Sequence, residues 1–229
     1  MLLQPMALRL PLAFLAAAAL PSAAAARDDS QLWIGGSAVA DLGKGFRLSE
    51  EVITRFSDHR GGLYEIESNT LLGFRLAPRT TFWAGYTHNP TYSHGRFAAM
   101  EHRAREQLTV DGLPAGPGTV SLRLRMEERW RDGFAGTGWR LRPFVKYSLP
   151  LHRGGHTAIV FSHESFLNLN RTAFQARTGE ERMRNAVAIT TPLAKGVNAE
   201  IGYLNQHGFV RGGPDTSDHV ATLTLSLAL

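Results

Sequence analysis

The sequence predicts an all-β fold: an antiparallel up-and-down transmembrane β-barrel of about 10–12 strands, following a cleaved signal peptide. Three observations lead there. Apolar and polar side chains alternate in segment after segment, with Gly, Pro, Asn and Asp between the segments. The polar side of the alternation is built from Arg and Glu; of the 25 basic residues only Lys44, Lys146 and Lys195 are lysine. Beyond residue 26 no run of about 18 apolar residues occurs, so a helical span is excluded. The mean hydropathy of −0.17 excludes nothing more than that, because a barrel hides half of its residues in a polar interior.

The elements follow in order. From Met6 to Leu20 one charge, Arg9, precedes an apolar core, and Pro21, a Ser-Ala run and the charged Arg27-Asp28-Asp29 come after it. This three-part pattern, with an Ala-x-Ala site ending near Ala26, predicts a signal peptide over residues 1–26 and a single domain over 27–229. The chain contains no cysteine, which rules out disulfide staples, zinc-thiolate sites and a thiol nucleophile.

Strands are expected near 31–42, 45–57, 62–76, 80–88, 98–112, 118–131, 138–149, 156–168, 183–192, 197–208 and 217–229. In residues 119–131 Val120, Leu122, Leu124, Met126 and Trp130 share one face, with Arg123, Arg125, Glu127 and Arg129 on the other. In the next segment Trp139, Leu141, Val145, Tyr147 and Leu149 alternate with Arg140, Arg142 and Lys146. In 63–76, Tyr64, Ile66, Leu72 and Phe74 oppose Glu65, Glu67, Asn69 and Arg75. Only Glu180–Ala188 invites a helical reading, and it is short. Eleven segments conflict with the even strand number of single-chain bacterial barrels, so either 169–178 holds a further strand or one of the segments is not a strand; the spacing of roughly 17 residues per strand and connection suggests about twelve.

The polar face decides between a soluble periplasmic sandwich and a closed barrel. Arg is the residue suited to enclosed bidentate pairing with carboxylates, and its density opposite Glu favours a barrel with a charged lumen. Trp130, Trp139 and Tyr147 share the apolar face, as an aromatic girdle requires. The last segment ends with Leu223, Leu225, Leu227 and Leu229 on one face, a form of terminal strand that barrel-assembly machinery would take. Short connections near 77–79 and 191–197, a Gly/Pro turn at 112–118, and longer polar ones at 89–97, 131–137, 168–182 and 208–216 predict short periplasmic turns and long outer loops. With a periplasmic C-terminus, this alternation leaves the first strand starting on the wrong side.

A set of stretches resembles the domain-of-unknown-function 2490 family of bacterial outer-membrane-barrel-like proteins. They are Glu101-His102-Arg103 with Gln107, residues 123–129, residues 140–143 running on to 149–151, residues 164–170 with 174–177, and residues 200–206. The resemblance spans nearly all of the chain after residue 26. It implies export, an outer-membrane location in a Gram-negative bacterium and a barrel, and carries no activity.

The candidate site is an inward-facing charge ladder: Arg75, Arg103, Arg105, Arg123, Arg125, Arg129, Arg140, Arg142 and Lys146 against Glu65, Glu67, Glu101, Glu127 and Glu164, joined by Gln107. Such a set suits a structural or ligand-binding lumen, with a small anionic ligand as partner. The alternatives are an anion-leaning channel and an outer-membrane lipid-modifying hydrolase. For a hydrolase, His163 and Ser165 share one strand face, but Glu164 points away and all eight Asp residues lie in or beside expected turns and termini. No catalytic residue, metal or cofactor is therefore assigned. Outer-membrane lipid is the expected surroundings and nucleic acid is not an expected partner, since the positive charge follows alternating strand faces.

Overall fold

The computed structural model describes residues 27–229; the signal peptide expected over 1–26 lies outside them. Eleven strands follow one another: β1 (Arg27–Gly43), β2 (Phe46–Ser57), β3 (Gly62–Ala77), β4 (Thr80–Ser93), β5 (Arg96–Ala115), β6 (Gly118–Arg131), β7 (Gly138–Pro150), β8 (Ala158–Asn168), β9 (Gly179–Ala194), β10 (Val197–Gly208) and β11 (Thr216–Ala228). Each pairs with its sequence neighbours, and β1 pairs with β11 to close a barrel. The alternation of apolar and polar residues produces this directly, since period-two side chains sort to the two faces of each strand.

The strand count is odd, so the even number expected from the sequence is corrected. No twelfth strand forms within 169–178. Closure comes instead from a parallel β1–β11 pair running from Arg27↔Thr216 to Val39↔Ala228, whereas every other pair is antiparallel. The short segment with helical promise, 180–188, lies within β9. The expected long connection at 89–97 is also corrected. β4 runs on to Ser93 and β5 starts at Arg96, leaving a two-residue turn in which His94 and Gly95 both take positive φ (50° and 73°), the tight hairpin geometry. Two-residue turns at 44–45, 78–79, 116–117 and 195–196 gather at one end, here the turn end, together with the segment 151–157. At the opposite, loop end lie 58–61, 94–95, 132–137, 169–178 and 209–215.

The outer wall is apolar. Leu72, Leu122, Leu124, Ile189, Ile201 and Leu225 are all exposed there. Inside, charged and polar side chains are buried, including Arg105, Glu127, Asn69 and Thr87. Trp83 fills part of the turn-end interior by lying over Gly73 on the paired strand; a Cβ at Gly73 would come within 2.5 Å of its ring, so only glycine leaves the indole its place.

Two bulges change the parity read from the sequence. Between Arg55 and Phe56 the β2–β3 register shifts, which turns both Tyr64 and Glu65 inward; the expectation that Tyr64 faces out is thereby overturned. A second shift, between Phe166 and Leu167 on β8, turns both Glu181 and Arg182 of β9 inward. In each case one extra residue on the bulged strand places two consecutive polar side chains in the lumen.

Candidate functional site

Four carboxylates organise the lumen. Glu127 accepts hydrogen bonds from Arg140 Nε (2.8 Å) and Nη2 (2.6 Å), Arg142 Nη1 (2.7 Å) and Arg105 Nε (3.3 Å), and is 0% exposed. Glu67 accepts from Arg105 Nη2 (2.7 Å), Arg55 Nη2 (3.0 Å) and Arg103 Nη1 (3.3 Å). Glu101 takes a bidentate bond from Arg129 (3.0 and 2.9 Å) and a third bond from Arg103 Nε (2.6 Å). Glu164 is held by Arg142 through Nε and Nη2 (3.1 and 3.0 Å) and by Arg123 Nη2 (2.5 Å). Arg103, Arg105 and Arg142 each serve two carboxylates. One continuous chain of alternating charge thus runs Arg129–Glu101–Arg103–Glu67–Arg105–Glu127–Arg142–Glu164–Arg123. Arg125 adjoins it, 3.9 Å from Glu127 Oε1, and donates through Nε to Gln107 Oε1 at 2.9 Å. Planar guanidinium forks make such double service possible, which a lysine ammonium could not match.

Aromatic faces take the guanidinium edges that carboxylates do not reach. Arg47 Nε, Arg55 Nε and Arg123 Nε are buried without a hydrogen-bond partner. Each of these guanidiniums lies over a ring: Arg47 over Trp83 (5.5 Å), Arg55 over Trp33 (4.5 Å) and Arg123 over Phe144 (4.5 Å). Arg184 covers Trp33 as well (4.5 Å), and Phe166 is surrounded by Arg140, Arg142, Arg182 and Arg184 at 4.2–5.6 Å. Ring quadrupoles in a desolvated interior offset part of the cost of so much positive charge.

Two cavities flank the network. A cup of about 500 Å³ at the loop end is lined by nine arginines against Glu65, Glu67, Glu101, Glu181 and Asp218, a formal excess of four positive charges. Both bulges feed it. Above it, Asp215 accepts from Val210 N (2.8 Å) and contacts His207 (3.1 Å); the backbone hydrogen bond from Val210 is the main reason its carboxyl lies below the ordinary aspartate range. A second cavity of about 210 Å³ lies beside Trp33, Ile53, Phe144 and Val160, with Glu51 and Glu200 in its wall, and shares no lining residue with the cup.

Not every residue expected in the ladder joins it. Arg75 keeps inward parity but stands at the turn-end rim, half exposed, 3.4 Å from Asp41. Lys146 is half-buried and takes no part in an ion pair among the described residues. The girdle residues separate: Trp130 and Trp139 are exposed beside the loop 132–137, whereas Tyr147 donates to Ala115 O (3.3 Å) near the turn end. Arg47, Arg55, Glu181, Arg182 and Arg184 were not anticipated. Arg182 and Arg184 alternate with Met183 and Asn185, a period-two signal present in the very stretch that invited a helical reading.

On the outer wall, the register opposes His163 of β8 to Asn185 of β9. His163 Nδ1 is 2.8 Å from Asn185 Oδ1, and its Nε2 is 3.1 Å from Ser165 Oγ. The residue that reaches His163 is thus an amide rather than an acid.

Comparison with known proteins bears on the whole chain. The family model described as "Protein of unknown function (DUF2490)" matches residues 30–217. The chain belongs to this family. An uncharacterized protein of Methylorubrum extorquens is 28% identical over 199 residues, covering 86% of each chain. No solved structure matches. For this DUF2490 protein, any activity must therefore be argued from its own side chains.

Proposed function

We propose that the protein is an outer-membrane β-barrel of a Gram-negative bacterium, exported behind a signal peptide cleaved near Ala26. Its lumen is closed by its own charges, and its loop-end cup binds a small anionic ligand. One observation carries the reading: the ordinary polarity of a folded protein is inverted. Leu124 is 50% exposed and Ile201 64% exposed on the outer wall, while Arg105 and Glu127 are almost wholly buried inside. Soluble monomers rarely present contiguous apolar patches beyond a few hundred Å²; lipid is the solvent that suits a wall apolar around its circumference. In that setting Trp130 and Trp139 mark one interface and Tyr147 the other. The outward leucines of β11 then present a terminal strand to the barrel-assembly machinery.

The charge chain across the lumen supports a closed barrel over an open anion passage. Above it the cup keeps an excess of guanidinium charge: Arg182 is paired with Glu181 at 2.9 Å, but Arg131 and Arg60 have no carboxylate partner among the described residues, and that excess favours a phosphate- or carboxylate-bearing ligand. Cell fractionation should recover the protein with the outer membrane, as a band whose gel mobility changes on heating. Titration of the purified barrel with inorganic phosphate should show binding that weakens with added salt. Arg131→Ala should lower the phosphate affinity by about tenfold, the scale of one charge-assisted hydrogen bond. A cytosolic or periplasmic protein would overturn the membrane reading, and absence of phosphate binding would overturn the cup.

A further inference from the structure

We infer that Ser165, His163 and Asn185 form a hydrolytic site on the outer wall of the barrel, acting on the fatty-acyl esters of membrane lipids. The inference rests on the outer-membrane reading above and adds an activity to it.

The geometry comes first. Nδ1 and Nε2 of His163 are engaged on opposite sides of the ring, by Asn185 Oδ1 at 2.8 Å and by Ser165 Oγ at 3.1 Å. An amide oxygen can only accept, so the proton sits on Nδ1 and is donated to Asn185. Nε2 is left with its lone pair toward the serine hydroxyl, the protonation state a general base requires. Nucleophile, base and orienting group are recognised by these roles and not by sequence order. The strands enforce the arrangement. Residues 163 and 165 are two apart on one face of β8, and Asn185 is the direct cross-strand partner of His163.

The position of the site selects the substrate. On four successive strands the outward residues are mainly apolar from the turn end up to the register row Phe161–Val187–Tyr203–Ala221. The next row toward the loop end is His163–Asn185–Asn205–His219. Hydrogen bonds link that polar row to its neighbours, Tyr203 Oη in the row below contacting His219 Nδ1 at 2.7 Å and Asn205 Nδ2 donating to Ser217 Oγ in the row above at 2.8 Å. The catalytic hydroxyl therefore lies where the apolar belt gives way to polar wall. A lipid whose chains lie along Phe161 and Val187 presents its ester carbonyl at that boundary.

The chemistry balances without a further reactant beyond water. Ser165 Oγ adds to the ester carbonyl as its proton passes to His163 Nε2. The carbon–alkoxy bond then breaks and the leaving alcohol takes that proton, giving an acyl-serine. Water adds to the acyl-serine with His163 again as base, the serine–acyl bond breaks, and Ser165 recovers its proton as the fatty acid leaves. Ser165 and His163 are catalytic residues; Asn185 is a positioning residue that acts through the imidazole.

The test uses the full chain reconstituted in vesicles of glycerophospholipid and, separately, in vesicles carrying an acylated phosphosugar lipid. Flotation and heat-dependent mobility are checked for every variant. A long-chain alkyl fluorophosphonate should leave its adduct on Ser165 in the wild type, and His163→Ala should abolish that adduct although the serine remains. Asn185→Ala should slow adduct formation by about 100-fold, the scale of lost acid–base assistance, with Asn185→Asp restoring most of it. Fatty acid should be released from at least one vesicle type, which identifies the lipid class, and Ser165→Ala should reduce release to the vesicle background. A barrel that floats and shifts on heating, yet yields neither adduct nor fatty acid, overturns the inference. A protein that does not float overturns the membrane reading and this inference with it.

Discussion

Glu127→Gln is expected to destabilise the barrel by about 3–5 kcal/mol, the cost of removing one partner from a buried ion cluster. The amide keeps the volume and shape of the side chain but removes its charge. Arg105, Arg140 and Arg142, all buried and all directed at that carboxylate, would then face one another across a site that water does not reach. Urea titration of the refolded barrel, followed by its gel mobility without heating, measures the loss. The loss should persist in high salt, because a buried pair is poorly screened. Adding Arg140→Met, whose side-chain hydrogen bonds both go to Glu127, to Glu127→Gln should recover part of it by removing an orphaned charge, and a double-mutant cycle would give the coupling. By contrast, Asp41→Asn, which removes the half-exposed partner of Arg75, should cost below about 1 kcal/mol. Equal, small effects at Glu127 and Asp41 would mean that the lumen network does not hold the barrel together.

The second large effect concerns the outer wall. Leu124 lies midway along the apolar face of β6, half exposed, opposite Leu108 and Pro143. If that wall faces hydrocarbon, Leu124→Arg should destabilise the inserted barrel by about 2–4 kcal/mol, as arginine does near a bilayer midplane. If it faced water, the same exposed substitution would fall within about 0.5 kcal/mol of neutral. Unfolding in lipid vesicles therefore separates the two solvents by the size of a single number.

Alternation exposed most of the architecture because each strand's two faces meet different surroundings. Arg123, Arg125, Glu127 and Arg129 face one way and Leu122, Leu124 and Trp130 the other, and this sorting is readable without coordinates. What escaped are the places where alternation breaks or where polarity is the wrong guide. Tyr64 and Glu181 turn inward at bulges, and a bulge leaves no period-two trace in the sequence. Trp33, Trp83 and Phe166 lie in the lumen because their ring faces receive guanidinium groups, so an apolar side chain there is not a sign of the outer wall. Asn185 could not be connected to His163 because their contact depends on the β8–β9 register across a ten-residue loop. The odd strand number was present in the count of segments; what the sequence could not supply was a parallel seam that lets an odd barrel close.

That seam has a consequence for compartment. β1 and β11 run side by side in the same direction, so Arg27 starts at the loop end of the barrel and Ala228 finishes at the turn end. In an outer membrane with the turn end toward the periplasm, the two ends of this chain would open onto different sides. The start of β1 would emerge beside the cup, and any residues retained ahead of it would have to be carried across the bilayer during assembly, as a long outer loop is. A reporter joined before Arg27 would then sample the cell exterior, and one joined after Leu229 the periplasm.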